Sequence, residues 1–103
     1  MHPLIREKQA EIAHLSRKFG IRRLEVFGSA ARGDDFDLGR SDVDLIVEFS
    51  TAAARDPLGT YFHLRDCLSQ VLGCSVDLVE SGSITNPYVL RAIEQDRQLI
   101  YAS

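Results

Sequence analysis

Asp42-Val43-Asp44 sets two carboxylates one residue apart at the head of an aliphatic run that continues through Leu45, Ile46 and Val47. In a strand, residues i and i+2 project to one face, so both acids point to one side while Val43 points to the other. Two like charges held that close in an apolar strand repel and are poorly solvated, which destabilises the fold unless a cation compensates. Asp77 repeats the setting inside Val76-Asp77-Leu78-Val79. If its strand lies beside the first with matching pleat, three carboxylates share one face. Hard cations such as Mg²⁺ or Mn²⁺ take oxygen ligands of this kind. A pair of such ions clamps the attacking and leaving oxygens in phosphoryl or nucleotidyl transfer.

The other half of such chemistry needs an anion cradle, and Phe27-Gly28-Ser29 offers one. A strand running into Gly28 lets the backbone come close to a phosphate, and Ser29 with the amides after it opens a helical turn suited to an anion. Arg32, one turn on, is placed to meet the same phosphates. A Gly-Ser pair alone is commonly just a turn, and Asp-x-Asp alone is commonly solvated charge in a loop. Their order carries the signal: Gly-Ser after an apolar strand, Asp-x-Asp opening the next, a third Asp inside a later one.

The elements that must position these residues follow from periodicity. Residues from Pro3 to about Phe19 predict one amphipathic helix, with Ile5, Ile12, Leu15 and Phe19 on its apolar face, stopped by Gly20. Ile21 to Phe27 predicts a strand, Ser29 to Arg32 a short helical stretch, and 33–41 a loop. Asp42 to Phe49 predicts a central strand covered on both faces. Pro57 suits the first turn of a helix reaching about Leu72, with Tyr61, Leu64, Leu68 and Val71 as its buried stripe. Ser75 to Glu80 predicts a third strand, Pro87 to about Asp96 a last helix, and Gln98 to Tyr101 a short edge strand. The expected fold class is α/β (α+β), a small mixed β-sheet flanked by helices, in one domain spanning residues 1–103.

Composition narrows the function classes. With 103 residues, 45% hydrophobic and 26% charged, the chain supports one core and no separate substrate domain. No apolar run spans a bilayer and no signal peptide precedes the first helix, so a cytoplasmic protein is expected. A net charge of −3 argues against gripping long nucleic acid, yet not against a nucleotide, because a metal ion bridges acids to a triphosphate. Cys67 and Cys74 lack a metal-binding pattern and read as reduced, buried small residues. His2, His14 and His63 share no ligand spacing and read as solvated or packed imidazoles. The acidic stretch from Asp34 to Asp37 reads as a solvated loop.

Val26-Phe27-Gly28-Ser29-Ala30-Ala31-Arg32-Gly33, then Ser41-Asp42-Val43-Asp44-Leu45-Ile46-Val47, then Val76-Asp77-Leu78-Val79, resembles the minimal nucleotidyltransferase (MNT) family of the DNA polymerase beta superfold. The resemblance extends to Ala92-Ile93-Glu94 and Leu99-Ile100-Tyr101. It implies a polymerase-beta-like fold and metal-dependent transfer of AMP from ATP to an acceptor, with two Mg²⁺ ions expected. It also implies a partner, an all-helical HEPN ribonuclease toxin that such proteins counter as antitoxins, some by AMPylating a tyrosine. Carried over residue by residue, Asp42 and Asp44 are the metal-binding pair, Asp77 the third metal-side carboxylate that activates the acceptor hydroxyl, and Gly28 with Ser29 the triphosphate turn. Twelve residues, 30–41, separate Ser29 from Asp42, longer than the family's usual spacing. Two other readings stand beside this one. A contact-only antitoxin would keep the fold without turnover, and the intact triad counts against it. An antibiotic adenylyltransferase would need a further helical domain to recognise its drug.

Overall fold

The computed structural model describes residues 1–33, 42–50 and 56–103. In chain order the elements are α1 (Pro3–Glu7), α2 (Gln9–Lys18), β1 (Ile21–Phe27), α3 (Ser29–Arg32), β2 (Val43–Phe49), α4 (Pro57–Leu72), β3 (Val76–Glu80), α5 (Pro87–Asp96) and β4 (Gln98–Ala102). The single first helix expected from Pro3 to Phe19 is two. Lys8 leaves helical geometry at φ −98°, ψ 6°, although its N–H still bonds the Leu4 carbonyl. Beside the break, the His2 N–H donates to the Ala30 carbonyl at 2.8 Å, tying the start of α1 to α3 while α2 packs on β1 and β4.

Helix ends follow local chemistry elsewhere. Pro57 and Pro87 occupy the first turns of α4 and α5, where a missing N–H costs nothing. Asp56 and Asn86 precede them, and their side-chain oxygens accept from the Gly59 and Tyr88 N–H groups. Gly73 ends α4 in the left-handed region at φ +70°.

The four strands form one mixed sheet in the order β3-β2-β1-β4. β1 pairs antiparallel with β2 and β4, whereas β2 and β3 run parallel. A parallel pair needs a crossover, and α4 supplies it. Ile21, Leu24, Val26, Val43, Leu45, Val47 and Leu78 turn one face of the sheet into a core. Ile5, Ile12, Leu64, Leu68 and Leu72 from the helices complete it. Tyr61 and Val71 are only partly buried at its margin, with Leu72 taking the place the sequence reading gave Val71.

The opposite face carries the chemistry. It presents Glu25 and Phe27 from β1, Asp44, Ile46 and Glu48 from β2, and Asp77 from β3, as the registers Glu25↔Ile46, Phe27↔Asp44 and Asp44↔Asp77 require. Ile46 and Ile93 of α5 are buried outside the main core cluster. β2 is therefore central, as expected, but its second face is only partly covered. Among the described residues no helix is long and apolar enough to cross a membrane.

Candidate active site

Asp44 stands opposite Phe27 on one side and opposite Asp77 on the other, so a single row crosses β1, β2 and β3. Residues directly opposite in a ladder lie on one face, with Cβ atoms about 5 Å apart. Asp42 immediately precedes β2, two residues from Asp44. Asp42 and Asp77 are exposed, while Asp44 is half-buried between them. Burial, then the Asp77 and Asp42 charges, pushes the Asp44 carboxyl up to about 6, against the opposing pull of Arg32. The three carboxylates thus act on one another electrostatically. Among the described residues, however, no three Asp, Glu, His or Cys side chains close into a ready ligand group. The donor set, all carboxylate oxygen, fits a hard divalent cation in kind.

Gly28 joins the turn to this row. It sits at φ +70°, ψ −152°, a conformation open to glycine and costly for any other residue. A Cβ there would stand 2.5 Å from Asp44 Oδ2. The missing side chain at Gly28 thus leaves room for the central carboxylate. Ser29 opens α3 as expected, and the Ala31 and Arg32 N–H groups return to the Gly28 carbonyl. Arg32 Nη1 is 2.6 Å from Asp96 Oδ2, at the end of α5. The sequence offered no reason to join those two residues. Residues 34–41, which hold the acidic stretch and most of the longer spacing, lie outside the described residues.

A second charged group on the same face went unread in the sequence. Glu25 is only 4% exposed. Its oxygens accept from Arg97 Nε at 2.8 Å, Arg97 Nη2 at 2.6 Å and Arg23 Nε at 2.8 Å. Arg97 also bonds Glu94. The Arg97 hydrogen bonds lead in holding the Glu25 carboxyl below its ordinary range, burial opposing them and Arg23 assisting. Glu25 alternates with Leu24 and Val26 as an outward polar residue should, so only its burial could have marked it. Cys67 and Cys74 are free and half-buried rather than buried. Burial and then the Asp42 charge push the Cys74 thiol up, away from reactivity. The exposed His63 ring packs edge-on against Phe19, 5.1 Å between centroids.

Residues 11–100 match the nucleotidyltransferase domain family, and the chain belongs to that family, in its minimal form. MJ0128 of Methanocaldococcus jannaschii, named a protein adenylyltransferase, is 42% identical over 87 residues, covering 84% of this chain and 82% of its own. A solved minimal nucleotidyltransferase superimposes with a TM-score of 0.75 at 27% identity, covering 95% of both chains. The MNT antitoxin solved in complex with a tri-AMPylated HEPN toxin from Shewanella oneidensis shares the fold at a TM-score of 0.64 and 17% identity, over 96% of this chain and 73% of its own. The enzyme class is thereby set as nucleotidyltransferase.

Proposed function

We propose that this chain, as one domain over residues 1–103, transfers AMP from ATP with Mg²⁺ to a tyrosine hydroxyl of a helical HEPN-type toxin, and so serves as its antitoxin. The observation that carries the reading is the row Phe27-Asp44-Asp77, with Gly28 pressed against Asp44. The turn and the carboxylates then meet where a triphosphate would be handed to an acceptor. The name of the Methanocaldococcus relative and the modified toxin beside the Shewanella antitoxin support the same substrate class.

In this mechanism the Gly28 backbone admits the triphosphate, the Ser29 hydroxyl donates to a phosphate oxygen, and Arg32 lends positive charge beside it. Asp42 and Asp44 would hold Mg²⁺, with Asp77 as third ligand. The ions supply neutralising charge and a template when bound. Asp77 takes the proton of the acceptor hydroxyl, whose oxygen bonds the α-phosphorus as the bond to pyrophosphate breaks. Asp77 is exposed on the edge strand β3, which suits an acceptor carried in by a second protein.

The test is incubation with the partner, ATP and Mg²⁺. The partner should gain AMP mass and stay silent after this chain is removed, while the Asp42→Asn/Asp44→Asn double variant binds without lasting silence. Full protection of cells by that variant at matched expression would establish neutralisation by contact instead. Label appearing only on an antibiotic would favour the small-molecule reading.

A further inference from the structure

Three consecutive residues at the α5–β4 junction reach the elements on either side of the Gly28-Ser29 turn. Asp96 bonds Arg32 at the end of α3, Arg97 bonds Glu25 in β1, and the Gln98 side-chain amide donates to the Ala31 carbonyl at 3.2 Å. The turn is thus gripped before and after by one short segment, 64 residues from Arg32 and 72 from Glu25 along the sequence. Two features set this apart from ordinary surface pairing. Glu25 is buried, so its guanidinium partner is required rather than optional. Asp96 is an acid in the last turn of α5, where the helix dipole disfavours a carboxylate, and it is largely covered at 23% exposure. Its position there is offset by Arg32.

We propose that Asp96, Arg97 and Gln98 form a clamp of positioning residues that fixes the Gly28-Ser29 turn, and that Asp96 sets the Arg32 guanidinium for the triphosphate. The proposal rests on the nucleotide reading for its consequence and on the contacts alone for the clamp. Because Gly28 abuts Asp44, a turn held in place also holds the central carboxylate's near wall. Arg97 is unsuited to a first test, since its removal strands Glu25. Asp96→Ala, Asp96→Asn and Gln98→Ala leave the core intact, and Ile12→Val, in the remote core, controls for lost stability alone.

Amide hydrogen exchange at residues 28–33 and calorimetric binding of ATP and of adenosine, both with Mg²⁺, are the readouts. Exchange at 28–33 should quicken in Asp96→Ala and Gln98→Ala and stay unchanged in Ile12→Val. ATP affinity should fall about five-fold in Asp96→Ala, the upper range for a half-exposed ion pair. Asp96→Asn, which keeps a hydrogen-bond acceptor, should recover part of that loss, and adenosine affinity should not move. Unchanged exchange in both clamp variants overturns the clamp. Faster exchange with unchanged or tighter ATP binding overturns the positioning role, the latter outcome making Asp96 a competitor for Arg32. Wild-type protein that fails to bind ATP would remove the nucleotide reading, while the exchange arm still decides the clamp.

Discussion

Glu25 and Asp44 occupy the same face of the same sheet, on neighbouring strands, and their surroundings push their carboxyls in opposite directions. Glu25 is the more deeply buried, yet two arginines hold it ionised. Asp44 is half-buried among two further aspartates, and its carboxyl rises to about 6. Burial raises both carboxyls and leads at Asp44, where neighbouring aspartates add to it, whereas at Glu25 the Arg97 hydrogen bonds outweigh it. The fold matches charge with charge at Glu25 and sets like charges beside Asp44, where a cation-dependent reaction would use them.

Substitutions sharpen the contrast. The largest effect is expected for Asp44→Asn, with AMP transfer falling at least about 10³-fold, equivalent to some 4 kcal/mol of barrier. The folded protein should nevertheless be more stable than wild type at pH 7.5 in EDTA, as read by thermal melting. Transfer within a few-fold of wild type would remove Asp44 from the reaction. Arg97→Gln should behave in the opposite sense, destabilising by about 3 to 5 kcal/mol because a buried carboxylate loses its main partner. Urea unfolding measures this, and a loss under about 1 kcal/mol would mean that water replaces Arg97.

Gly28→Ala comes next, with a Cβ driven to 2.5 Å from Asp44 Oδ2 and a positive φ to maintain. About 1 to 3 kcal/mol of stability should go. ATP binding should fall with it, because Asp44 or the turn must move. Wild-type ATP affinity in a folded Gly28→Ala protein would place the triphosphate elsewhere.

The smallest effect separates the two carboxylates by pH. Asp44 has a folded value raised from 3.8 to about 6, so its protonated form contributes stability that is full below about pH 4 and lost as pH rises through 6. Glu25 has a lowered folded value, so its contribution is full above its ordinary 4.5 and lost as pH falls through that lowered value. Melting curves in EDTA should show the stability advantage of Asp44→Asn growing from pH 4 to pH 7. An advantage independent of pH over that window would mean that Asp44 does not titrate there.

The strands, the α4 crossover, the proline-led helices and the row of aspartates were legible because each rests on local pattern: aliphatic runs, period, and residues that start or stop helices. The break at Lys8 was not, since no Gly or Pro marks it and the His2–Ala30 contact beside it is a tertiary one. Arg32 was read only toward phosphate, and its pairing with Asp96 depends on how α5 returns across the sheet. Glu25 and Arg97 each look like ordinary exposed charge, and only their meeting across 72 positions makes them a pair. Gly28 was read only toward a phosphate, and the neighbour that a side chain there would meet, Asp44, came from register rather than from motif.

That separation also governs the order of events during synthesis. β1 is made well before the β4 strand that flanks it and before the arginine that neutralises Glu25. A nascent chain lacking residues 97–102 has one side of β1 unpaired and would bury Glu25 without its principal cation. The contacts that grip the turn beside Asp44 therefore cannot form before the α5–β4 segment has been made.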